Sequence, residues 1–265
     1  MLAYECIGQG SPLVLIHGVG HDHSAWRPVL TALSDQRELI MLDLPGHGAS
    51  SPLASGKAYT VGSYADAVRD AITELGLERP HVAGNSLGGA ITLELARSGD
   101  ARSATALAPI GFWSPAEIRF SMASLRSTRA LNRALRPIVP ALLGNPWARA
   151  VLLAQFYGHP ARLSSADARA AADAFATSTA LPATLPHTRN YQFTAEPQIS
   201  APVTIAWGTR DRLLLPRQAR RAQALLPGAT HVRLNGCGHV PMPDDPDAVA
   251  ALLLQGSETS PKPRV

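Results

Sequence analysis

A chain of 265 residues, 46% hydrophobic and 17% charged, holds enough apolar material for one substantial core and is neither disordered nor fibrous in composition. Its formal net charge of +4 comes without a basic block or interleaved aromatics, which argues against a nucleic-acid partner, and no run approaches the ~20 continuous apolar residues of a membrane span. Its two cysteines, Cys6 and Cys237, form neither a disulfide framework nor a metal-ligand pattern, so no metal or other cofactor is expected.

The opening "MLAYECIGQG" lacks the charged and apolar regions of a signal peptide, so a cytoplasmic protein is expected. Short apolar runs then alternate with helical patterns. Residues 12–18 (PLVLIHG) read as a buried strand ending in a glycine turn, followed by a helix from about Ser24 to Leu33. "ELIMLDLPGHG" holds a second strand ending near Asp43, and "SYADAVRDAITELGL" places apolar residues at 64, 68, 71, 72 and 75, a helical spacing. "HVAG" is a third strand, residues 87–97 an apolar helix, and "SATALAP" a fourth strand. Over residues 111–200 the alternation stops, and Ala/Leu/Arg-rich helical stretches are broken by prolines at 137, 140, 146, 160, 182 and 186. It resumes with "PVTIAWG" (strand), "PRQARRAQALLPG" (helix), "THVRLNG" (strand) and "PDAVAALLLQG" (helix). The expected fold class is α/β, a mainly parallel sheet with helices on both faces. Residues 1–110 and 201–255 form its core, 111–200 a helical cap, and 256–265 a disordered polar tail.

In an open parallel sheet ligands bind at the carboxyl ends of the strands. The polar clusters of this chain fall there: His17, Asp43, Ser86, Asp211 and His239. "GNSLGG" (residues 84–89) between a strand and a helix is the arrangement of a nucleophile elbow, in which glycines leave room for a sharply turned serine. The elbow sets the Ser86 hydroxyl at a helix N-terminus, where backbone N–H groups favour negative charge. A serine needs a positioned base, and the base an orienting acid. His239 in "NGCGHVPMPDDP" and Asp211 in "WGTRDRLLLP" supply them in the order Ser…Asp…His, and one helix and one strand between them bring the two to adjacent strand ends. The oxyanion donors expected are the backbone N–H groups of Leu87, after the nucleophile, and Val19 in "HGVGHD".

"HGVG" with Trp26 downstream, "DLPGHGAS", "GNSLGG", "WGTRD" and "GCGHVPMPDDP" together resemble the α/β-hydrolase superfamily, in its group of capped serine hydrolases, over all of the chain outside the cap. The resemblance implies a cap inserted after the family's sixth strand, which agrees with the break at Gly111, and a start near the family's second strand. It also offers an alternative acid position around Ala108–Pro109, which is not acidic here, so Asp211 is preferred.

The main reading is hydrolysis of a small or medium hydrophobic carboxylic ester, with thioesters and lactones open to the same machinery. Trp26, Asn85, Trp113 and Val240 are the expected pocket residues, and the cap aromatics Phe112, Trp147, Phe156, Tyr157 and Phe175 would extend an apolar lining. Asn85 keeps carbon–carbon bond hydrolysis of ring-cleavage products as the alternative, but Val240 and Arg27 stand where that group commonly has tryptophan and asparagine. A ligand-sensing protein with slow turnover is a further alternative on the same fold. His21-Asp22-His23 reads as a polar solvated turn, His17 as a brace for the oxyanion loop, and Asp244 with Asp245 as the start of the last helix. Nine Arg face four acidic residues between Trp113 and Ser200, and five of these (Arg119, Arg126, Arg129, Arg133 and Arg136) share one helical face. That face reads as solvated, or else as meeting an anionic substrate or partner.

Overall fold

Leu13, Val14, Leu15 and Ile16 are all fully buried, which a strand achieves only when both faces of its sheet are covered. They lie in β2 (Ser11–Ile16) of a seven-stranded sheet, in a computed structural model that describes residues 1–195 and 198–258. The other strands are β1 (Tyr4–Gly8), β3 (Arg37–Leu42), β4 (His81–Asn85), β5 (Ser103–Leu107), β6 (Val203–Gly208) and β7 (Thr230–Leu234). Their order is β1-β3-β2-β4-β5-β6-β7, with β1 antiparallel to β3 and every other pairing parallel. The pattern of apolar runs does not mark β1, because all five of its residues are exposed and carry no alternation; its ladder from Tyr4↔Leu42 to Gly8↔Glu38 makes it a strand, in keeping with the start near a strand that the resemblance implies.

Helices α1 (Arg27–Leu33), α2 (Val61–Glu74) and α3 (Leu87–Arg97) fill the first three crossovers. Residues 24–26, expected as the start of the helix that runs to Leu33, belong instead to a 3₁₀ turn over His23–Trp26, with Asp22 accepting a hydrogen bond from Ser24 N at its start. Between β5 and β6 the chain forms α4 (Pro115–Ala134), α5 (Val139–Leu142), α6 (Pro146–Leu152), α7 (Ser165–Thr177) and α8 (Leu181–Thr188), and no strand among the described residues. α9 (Arg217–Leu225) and α10 (Pro246–Gly256) follow β6 and β7.

The helical insertion is anchored at its base. Ser114 and Glu117 form a reciprocal capping box at the start of α4, and the buried Glu117 carboxylate also accepts from Arg217 (2.6 Å) and Arg221 of α9. One turn further on, Ser121 Oγ donates to Leu213 O (2.9 Å), in the loop after β6. At the chain's far end, Ser257 is buried rather than part of a loose tail: its hydroxyl donates to Leu253 O (2.7 Å) and accepts from Arg37 Nε (2.9 Å). The remainder of the expected tail, residues 259–265, lies outside the described residues.

Candidate active site

β4 ends at Asn85 and α3 begins at Leu87, so a single residue makes the turn. Ser86 makes it with φ 59° and ψ −112°, a conformation that costs an L-residue about 1–3 kcal/mol and persists only when its surroundings enforce it. The enforcement is visible: Ser86 N donates to Leu107 O (2.9 Å), and Ser86 O accepts from Ala90 N (3.1 Å) and Ile110 N (3.3 Å). The flanking glycines permit the approach. A Cβ on Gly84 would stand 2.2 Å from Gly88 O, and one on Gly88 would stand 2.1 Å from Ile16 O, both backbone atoms that cannot swing aside. Gly88→Ala is therefore expected to destabilise the fold by about 2–3 kcal/mol, lowering the melting temperature by about 4–12 °C in thermal unfolding.

On the neighbouring strand ends, His239 Nδ1 lies 2.9 Å from Asp211 Oδ2, and both residues are buried. A carboxylate only accepts, so Nδ1 carries the proton and Nε2 is the basic nitrogen. The other Asp211 oxygen accepts from Leu213 N (2.9 Å) and Leu214 N (2.8 Å), and Leu214 O in turn accepts from the buried Trp207 indole N–H (2.7 Å). The "WGTRDRLLL" loop thus closes on its own aspartate. The His239 loop is held from three sides. Asn85 Nδ2 donates to His239 O (2.9 Å) and Leu107 O (3.1 Å), Val240 N donates to Phe156 O (2.9 Å), and Asp244 accepts from Gly238 N (2.8 Å), Gly158 N (2.7 Å) and His159 N (2.8 Å). Asp244 is thus a clamp between the insertion and the His239 loop, and Asp245 alone caps α10. That role was hidden in the sequence because Gly158 and His159 lie more than eighty residues away.

Neither Val19 N nor Leu87 N donates a hydrogen bond among the described residues, and both residues line the cavity that holds Ser86 and His239. The loop carrying Val19 is pinned by His17, whose Nε2 accepts from Leu44 N (3.0 Å), so that Nδ1–H donates to Gly18 O (2.7 Å). Asp43 braces the next turn: it accepts from His23 N (2.8 Å), His23 Nδ1 (2.9 Å) and Ala49 N (2.8 Å). Burial pushes His17 down to about 4 and His47 down to about 3, the two rings lying 5.2 Å apart. Unfolded histidines take up protons near pH 6.5, whereas these stay neutral in the fold, so the unfolded state binds more protons between about pH 6.5 and 4. Stability is expected to fall as pH drops through that window; a melting temperature unchanged between pH 7 and pH 5 would contradict this.

The cavity is small, ≈ 30 Å³, and largely apolar, with Ile110, Trp113, Met122, Leu125, Leu185, Leu213 and Val240 in its walls beside Asn85. Trp26 is not among them. It is fully buried at the end of the 3₁₀ turn and packs in the hydrophobic core. Of the insertion's aromatics, Trp113 and Phe156 line the cavity, Tyr157 and Phe175 line an adjoining ≈ 50 Å³ apolar chamber with Phe156, Phe112 stacks near Phe193, and Trp147 is 81% exposed on α6. The sequence places His21 in a polar, solvated turn. The structure turns its ring inward, where it lines both the cavity and the adjoining chamber and meets Phe156 edge-on at 6.4 Å. Cys6 and Cys237 are both free thiols, and burial pushes Cys237 up to about 12.

A strained serine between strand and helix, a histidine–carboxylate pair beyond the ends of β6 and β7 and a helical insertion after β5 accompany a match of the alpha/beta hydrolase family model to residues 13–252. The chain belongs to the alpha/beta hydrolase family. An uncharacterised protein of Mycobacterium tuberculosis is 31% identical to this hydrolase over 257 residues, 92% of this chain and 74% of the relative. A pimeloyl-[acyl-carrier protein] methyl ester esterase of Aeromonas hydrophila is 36% identical over 97 residues, 37% of this chain and 36% of the esterase. The crystal structure of a membrane phospholipase A, a bacterial virulence factor, is similar with a TM-score of 0.76 at 28% identity, covering 98% of this chain and 84% of the phospholipase. Among its described residues this alpha/beta hydrolase has no helix long and apolar enough to cross a membrane, and no group of three or more His, Cys, Asp or Glu side chains placed to hold a metal ion.

Proposed function

We propose that this alpha/beta hydrolase cleaves small or medium hydrophobic carboxylic esters through an acyl-enzyme on Ser86. The observation that carries the reading is the His239–Asp211 pair at 2.9 Å, which leaves Nε2 basic at the cavity that Ser86 enters. His239 Nε2 takes the Ser86 proton as Oγ attacks the ester carbonyl. The undonated N–H groups of Val19 and Leu87, reinforced by the N-terminus of α3, stabilise the developing oxyanion. His239 then protonates the leaving alcohol, and water, activated by the same nitrogen, releases the acid. Asp211 holds the imidazole in this tautomer and favours its charged form during each transfer.

The apolar walls favour an uncharged acyl portion of modest size at the reacting end, and the esterase and phospholipase among the similar proteins act on esters by name. Thioesters and lactones present the same electrophile. The test is steady-state hydrolysis of p-nitrophenyl esters from acetate to octanoate. Sustained turnover supports the proposal. A single slow turnover with product retained would replace it by ligand sensing, and activity confined to vinylogous diketones by carbon–carbon hydrolysis.

A further inference from the structure

The arginine face of α4 is only partly answered within the chain. α4 ends at Ala134, so Arg136 of the expected face lies past the helix, where it pairs with Asp173 (3.4 Å); on the helix, Arg129 donates to the carbonyls of Ser178 (2.9 Å) and Phe175 (3.4 Å). The side chains of Arg126 and Arg133 are exposed and make no hydrogen bond or ion pair among the described residues. These guanidinium groups do not simply radiate into solvent. Arg126, Arg129 and Arg133 line one side of a cleft of ≈ 320 Å³ whose other side is Leu181, Pro182 and Leu185 of α8, and among the described residues no carboxylate lines it. Burial and the neighbouring Arg133 both depress the Arg129 guanidinium, an electrostatic tension that a bound anion would relieve.

The cleft adjoins the catalytic cavity. Leu185 is a wall of both, and Leu125, next to Arg126 in α4, lines the cavity side. Leu185 stands where its helix is weakest, because Pro186 lies inside α8 and offers no N–H to the carbonyl one turn back. A displaced Leu185 would join a cation-walled mouth to an apolar chamber containing Ser86.

We propose that the Arg126–Arg129–Arg133 cleft is an anion subsite at the mouth of the catalytic cavity, so that preferred esters carry a carboxylate or phosphate at the end of the chain remote from the scissile bond. This rests on the ester-hydrolase reading and names its substrate class. Guanidinium forks suit either oxyanion, and a cleft with apolar flooring strengthens their pull relative to open solvent.

The test compares p-nitrophenyl hexanoate with matched p-nitrophenyl esters ending in a carboxylate or a phosphate, using the wild-type protein and Arg126→Gln/Arg133→Gln. The ratio of kcat/KM for anionic over neutral ester is expected to fall about tenfold in the double variant, mainly through KM, and in the wild type to shrink with added salt. Whichever anionic ester shows the larger fall identifies the oxyanion. A ratio unmoved by the substitutions overturns the subsite while leaving ester hydrolysis standing; anionic esters that the wild type cleaves no better than the neutral one also overturn it. Failure of the wild type to hydrolyse any of the three esters would strike the ester-hydrolase reading instead. Calorimetric titration of adipate and butyl phosphate into Ser86→Ala protein reads the subsite without turnover. Binding weakened about tenfold by the arginine substitutions supports it, and binding indifferent to them overturns it.

Discussion

Ser86→Ala is expected to lower p-nitrophenyl ester hydrolysis by about 10⁴- to 10⁶-fold, with a melting temperature close to that of the wild type. Only Oγ is removed. The backbone bonds that hold the turn, from Ser86 N to Leu107 O and from Ala90 N and Ile110 N to Ser86 O, are untouched, so the strained turn remains enforced. The residual rate would come from the Val19 and Leu87 amides and from substrate positioning, which do not depend on the hydroxyl. Activity within tenfold of wild type, measured at saturating ester, would rule out the acyl-enzyme mechanism.

Asp211→Asn should cost about 10³- to 10⁴-fold in kcat, with little change in stability, and the reason is directional. Leu213 N and Leu214 N donate to one Asp211 oxygen, so an asparagine places its carbonyl there and turns its amide toward His239. An amide N–H facing Nδ1 selects the imidazole tautomer with its proton on Nε2, which has no lone pair left to receive the Ser86 proton. Steady-state kinetics together with thermal unfolding check this. A variant that keeps a tenth or more of the wild-type kcat would show that Asp211 orients nothing of consequence.

Asn85 bears on the choice between ester and carbon–carbon substrates. In the sequence it is the residue that suggests ring-cleavage chemistry. In the structure both of its amide hydrogens are committed to carbonyls, Leu107 O and His239 O, so it ties the histidine loop to β4 rather than offering a donor to substrate. The same contrast separates Trp26 from Trp113. Both are tryptophans near strand ends, but Trp26 points into the core from a 3₁₀ turn, whereas Trp113 sits at the start of the insertion and reaches the cavity.

What the sequence determined by itself was the alternation of buried strands and helices, the family, and the positions of Ser86, Asp211 and His239 at strand ends. These are legible because they are local: a serine at positive φ needs small neighbours such as Gly84 and Gly88, and a strand covered on both faces needs an unbroken apolar run such as Leu13 to Ile16. Only the tertiary structure decided that Asp244 clamps the insertion to the His239 loop, that His21 faces inward, that the exposed β1 joins the sheet edge, and that Arg126 and Arg133 border a cleft sharing Leu185 with the cavity. Each of these depends on a partner tens of residues away. A loop side chain takes its direction from whatever packs against it, and no local spacing encodes that.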